Sequence, residues 1–85
     1  MINSKDNPVE WALLLHELED AEEHLKDLGE QMISCGEISD EDYRITLGHI
    51  YSHINRAWNS RSRLGEQSDE LFVTESRMPD DITPT

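Results

Sequence analysis

Two histidines one helical turn apart, His49 and His53, form the pair in this 85-residue chain whose type and spacing suit metal chemistry. Residues four apart share one face of a helix, and two imidazoles so placed can hold one divalent ion. Asp20 and His24 repeat the spacing on an earlier stretch. Together the four make a set of three imidazoles and a carboxylate that suits zinc, iron or nickel. The plainer reading leaves the histidines solvated or ion-paired, with His16 on the outer surface. A second candidate is the pair Arg56 and Arg63, whose guanidinium forks match the oxygens of a small phosphorylated ligand. No glycine-rich phosphate loop accompanies them.

Catalysis has little support in the residues. The one cysteine, Cys35, falls in an apolar seam at an expected helix end, which suits a small hydrophobe better than an activated thiolate. The serines lack a nucleophile-elbow context. Glu17, Glu19, Asp20, Glu22, Glu23 and Asp27 surround their helix as a solubilising surface, and a thin bundle offers little room for an acid/base pocket. The chain is expected not to be an enzyme and to carry no cofactor beyond the candidate divalent metal.

Two helices must position these residues. Asn7-Pro8-Val9-Glu10 reads as a helix start, with a cap, a proline at the first helical position and a glutamate that can reach back. Trp11, Leu14, Leu18, Ala21, Leu25, Leu28, Met32 and Cys35 then follow at alternating steps of three and four, the seam of a helix packed against another. Gly36 suits a left-handed stop. Ser39-Asp40-Glu41-Asp42 starts the next helix with acids where its dipole favours them. Tyr43, Leu47, Ile50, Ile54, Ala57 and Leu64 make the second seam. The expected fold is therefore all-α: a coiled-coil-like antiparallel hairpin over residues 8–65, with helix one at 8–35 and helix two at 40–64, after a flexible arm at 1–7. A short link folds the seams into layers such as Leu28/Leu47, Ala21/Ile54 and Trp11/Leu64. On the polar flank it sets Glu10 by Arg63, Glu17 by Arg56, Asp20 by His53 and His24 by His49.

One hairpin leaves part of its seam wet. Leu15, Tyr51 and Trp58 form a second apolar flank, with Gly29 permitting close approach, and two hairpins are expected to pair there as a homodimeric four-helix bundle. Oligomerisation also suits the size, since one core in a chain this short is marginal.

The net charge of -12 is unevenly spread. From Asp6 to Asp42 there are thirteen acids against Lys26, whereas Tyr43 to Gly65 holds four arginines and no acid. Direct nucleic-acid binding needs a basic face, so it is not expected. Residues 66–85 lose the helical period and are expected as a disordered acidic tail whose apolar anchors, Leu71 and Phe72 among them, either fold back onto the bundle or dock on a partner. No apolar run is long enough for a signal peptide or a membrane span, and one cysteine fits a reducing, cytoplasmic setting. The leading functional expectation is a small acidic interaction or regulatory protein, binding a protein partner through Glu19, Glu23, Leu71 and Phe72. The alternatives are the metal set, the arginine clamp, and an acidic nucleic-acid mimic that inhibits a DNA-handling protein.

Overall fold

The computed structural model describes all 85 residues and is all-helical, with three helices and no strand. Helix α1 spans Pro8–Cys35, α2 Asp40–Asn59 and α3 Asp69–Glu75. No helix is long and apolar enough to cross a membrane.

The helix ends follow local chemistry. Pro8 opens α1, while Asn7 supplies no side-chain cap and instead turns its carboxamide back to the Asn3 N–H at 3.4 Å. Gly36, at φ 69°, ends α1 in the left-handed region and donates its N–H to the Met32 carbonyl. Ser39 Oγ accepts from the Asp42 N–H at 3.1 Å and caps α2, above three acids in the first turn. The second helix stops at Asn59, five residues short of the Leu64 expected from the seam. Ser60 turns its hydroxyl onto the Arg56 carbonyl at 2.6 Å, and Arg61 returns a guanidinium N–H to the Trp58 carbonyl at 2.9 Å. The Arg61 bond satisfies the Trp58 carbonyl, which a longer helix would have used, while the Ser60 hydroxyl adds a second bond to a carbonyl that already accepts the Ser60 N–H at 2.9 Å. Leu64 is consequently 67% exposed and forms no layer with Trp11.

Helices α1 and α2 run side by side in opposite directions, since Glu17 meets His53 and Arg56 while His24 meets His49. Leu14, Ala21 and Leu28, spaced at seven residues, are the buried positions of α1, and Ile50 is the most buried hydrophobe of α2. Ile38 and Leu47 pack against the Ala21, Leu28 and Ile50 cluster. Leu18, Leu25 and Ile54, also seam positions, stay about half exposed.

Both terminal segments differ from the sequence expectation. Residues 1–7 are folded against the far end of α2, where Ile2 is buried and donates its N–H to the Arg61 carbonyl at 2.9 Å. Residues 66–85 are not a disordered tail. Ser68 caps α3 by accepting from the Leu71 N–H at 3.1 Å, and the segment lies along the back of α2. Asn55 donates to the Ser76 carbonyl and Asn59 to those of Glu75 and Arg77, each at 2.9 Å. Side-chain amides on α2 thus satisfy backbone acceptors that a polar segment could not satisfy by itself.

The last anchor is electrostatic. The Trp58 indole N–H donates to Asp81 Oδ1 at 2.8 Å, and Arg61, stacked 3.7 Å over the Trp58 ring, reaches Asp81 Oδ2 at 3.5 Å. The indole bond, more than Arg61, holds the Asp81 carboxyl below its ordinary value of 3.8.

Two outcomes are expected. Ser39→Ala lowers the urea-derived stability by about 1 kcal/mol through the lost cap, and Ile50→Ala lowers it by about 2–5 kcal/mol through loss of core contact. Because folded Asp81 binds its proton less readily than the unfolded chain, its contribution is complete above pH 3.8 and is lost as pH falls through the lower folded value. In a Trp11→Phe background, Trp58 fluorescence therefore changes in that acidic window. Asp81→Asn removes the transition, and a transition that persists in that variant breaks the assignment.

Candidate metal centre

His49 and His53 stand one turn apart on α2, and the antiparallel packing brings His24 of α1 against them. The Nε2 of His49 lies 3.2 Å from Nε2 of His24 and 3.3 Å from Nε2 of His53. All three donor atoms fall within 4.8 Å of one another. The His24 and His53 rings are near parallel with centroids 5.4 Å apart, and the His49 ring stands edge-on to both at 82° and 83°. Zinc–nitrogen bonds of about 2.0–2.1 Å at a tetrahedral centre place neighbouring nitrogens about 3.3–3.4 Å apart. The two short separations match that edge.

The proton inventory favours a cation. His53 Nδ1 lies 2.7 Å from Glu17 Oε2, so that nitrogen carries the proton and donates it to the carboxylate. His53 Nε2 then turns a lone pair toward His49. One proton on His49 Nε2 can serve either neighbour, which leaves the remaining nitrogen facing another without a bond. A divalent ion accepts all three lone pairs at once. His49 is held neutral more strongly than an ordinary imidazole. Loss of water around its ring, wedged between two others although the residue as a whole is exposed, is the first cause. The charges of His24, His53 and Arg56 add to it, and Asp20 opposes it.

Behind His53 stands a support. Glu17 Oε1 accepts from Arg56 Nε at 2.8 Å, while its other oxygen holds His53. With the proton on His53 Nδ1, the 3.0 Å approach of Arg56 Nη2 to that nitrogen sets two donors side by side around one carboxylate. Arg56 also donates from Nη1 to Ser76 Oγ at 2.9 Å and lies 4.2 Å over the Phe72 ring. A carboxylate that orients the far nitrogen of a histidine is the usual outer support of a metal-binding imidazole.

Of the expected flank pairs, Glu17/Arg56 and His24/His49 meet. Asp20 does not reach His53, because Glu17 bridges His53 and Arg56, which share a face of α2 three residues apart. Asp20 stands outside the three-histidine cluster. Arg63, beyond the end of α2, pairs with Glu75 Oε2 at 3.0 Å rather than with Glu10, and donates to the Gly65 carbonyl. Arg56 and Arg63 line one cleft, but Glu10, Glu17 and Asp20 line it too, and both guanidiniums already hold carboxylates. That surrounding disfavours an anion. Glu19 and Glu23 are exposed on α1, as are Leu15 and Tyr51 on their flank. Phe72, expected as a free anchor, stacks on Arg56 within the chain, with Leu71 beside it on the rim of α3. Trp58 is engaged by Asp81 and Arg61.

Comparison of the chain with protein-family models, curated proteins and solved structures gives no match, so the centre is read from its own geometry.

Arg56, almost wholly buried, is the point at which three helices meet. Arg56→Ala is expected to cost on the order of 3 kcal/mol, since it leaves Glu17 without its main partner and Ser76 and Phe72 without their contact to α2. Urea denaturation checks the magnitude, and faster amide exchange throughout α3 checks the location.

Proposed function

We propose that this protein binds a divalent transition-metal ion of the zinc class through His24, His49 and His53, with Glu17 and Arg56 as the outer support. The observation that carries the reading is the convergence of three ring nitrogens within 4.8 Å, two of their separations at the spacing of a tetrahedral edge and one nitrogen's ring oriented from behind by a carboxylate. Three protein ligands leave further positions of the ion open to water or a small ligand. Zinc suits such a set, and copper and nickel compete for it by intrinsic affinity.

The support ties the ion to the rest of the fold. A metal that fixes His53 also fixes Glu17, hence Arg56, hence the seat of Phe72 and Ser76. Binding to the folded chain alone stabilises it by mass action, by about 2.7 kcal/mol at a hundredfold excess over Kd.

Calorimetric titration of the full chain with zinc chloride tests this. One ion per chain is expected, together with a rise in Tm. His49→Ala and His53→Ala weaken binding by roughly tenfold or more, and Glu17→Gln by about 10–100-fold, the usual effect of an outer partner. His16→Ala leaves binding unchanged. Binding that is insensitive to His49→Ala and His53→Ala overturns the proposal.

A further inference from the structure

The two sides of the α1–α2 pair differ in a way the helical period makes plain. Leu14, Ala21 and Leu28 point at α2 and are buried. Three residues on from Leu14 and Ala21, Glu17 and His24 turn to one side and build the histidine flank. Four residues on, Leu18, Leu25 and Met32 turn to the other side. There they stay 48%, 49% and 41% exposed, joined by Leu15, and from α2 by Tyr51 and Ile54. The result is an aliphatic stripe about as long as the contact between the helices.

We propose that this stripe is covered by a second copy of the chain, packed through a two-fold axis as a four-helix bundle. The exposed area requires a cover. The chain exposes 6536 Å² at 9.8 kDa, against about 5,200 Å² for a compact monomer of that mass. The excess of roughly 1,300 Å² exceeds the ~800 Å² that each partner buries in an interface of standard size. The core makes the same point, since no side chain in the chain is completely buried.

Charge favours a second copy as that cover. In a chain of net charge -12, the stripe carries Glu22 and no other ionised group between Leu15 and Leu25 on its α1 side. Two acidic copies would thus meet where their charge is lowest. Gly29 lies on the same stripe, and the space where its Cβ would stand is open, which permits close approach of a facing helix. An isologous contact needs a self-complementary face, and a row of leucines with one glycine gap supplies it. Trp58 marks the edge of this interface instead of its centre, because Asp81 and Arg61 already hold it.

Sedimentation velocity of the full chain at about 100 µM, above the micromolar Kd of the weaker interfaces of this size, decides the matter. It is run with chelator present, so that a failed metal proposal leaves the result readable. The expected mass is that of two chains. The double variant Leu18→Glu/Ile54→Glu, with helix content checked by circular dichroism, is expected to fall to one chain, while Val9→Glu, at an exposed position outside the stripe, remains a dimer. A wild-type monomer overturns the proposal and leaves the stripe to a different protein. A dimer that survives in the double variant, or one that forms only when chelator is withheld, places the contact elsewhere and also overturns it.

Discussion

The carboxylate of Glu17 is the constraint on which most of this fold's polar order depends. One oxygen accepts a hydrogen bond from His53 Nδ1 and the other from Arg56 Nε, at 2.7 and 2.8 Å. Glu17 belongs to α1, both partners belong to α2, and Arg56 extends the link to Phe72 and Ser76 of the third segment. A side chain that is four-fifths shielded from water, yet bonded through both oxygens to two donors, fixes register far more firmly than exposed ion pairs would. The imidazoles of the histidine flank are ordered as a consequence of this bridge.

The other organising fact is a shortage of interior. Five hydrophobic side chains are buried in 85 residues, and four of them come from two helix seams that offer fourteen positions between them. Stability is therefore drawn from unusual sources: amide side chains of Asn55 and Asn59 holding a polar segment, a guanidinium on an aromatic face at each end of that segment, and an N-terminal isoleucine closing the open end of the helices. Each is a modest contribution. A chain built this way has much to gain from a bound ion or from a second copy, and the two proposals address separate faces of the same pair of helices.

How much of this could be read in advance depended on the range of the interaction. Ser39 and Gly36 act within four residues, so their roles as cap and stop were legible and are found as read. The meeting of His24 with His49 and of Glu17 with Arg56 followed from one assumption, an antiparallel return through a short link. The end of α2 was not legible, because the apolar period runs on to Leu64 while Ser60 and Arg61 cap the helix earlier with their own side chains. Glu17 as a ligand of His53 was missed for a related reason. Spacing pointed to Asp20, and a carboxylate that serves two donors on adjacent turns is not visible in pairwise register.

The terminal segment shows where sequence reasoning stopped. Residues 66–85 are polar, acidic and aperiodic, and taken alone they cannot bury enough to order themselves. They order because α2 presents Asn55, Arg56, Trp58 and Asn59 in a row, four side chains whose partners lie 16 to 23 residues away in the chain. The sequence by itself determined the helical class, the helix starts, the stop at Gly36 and the candidate histidines, because those are local or periodic properties. Only the tertiary structure decided which face was filled, which carboxylate served the histidines and whether the tail was free, because each depends on a contact between residues that share no local pattern.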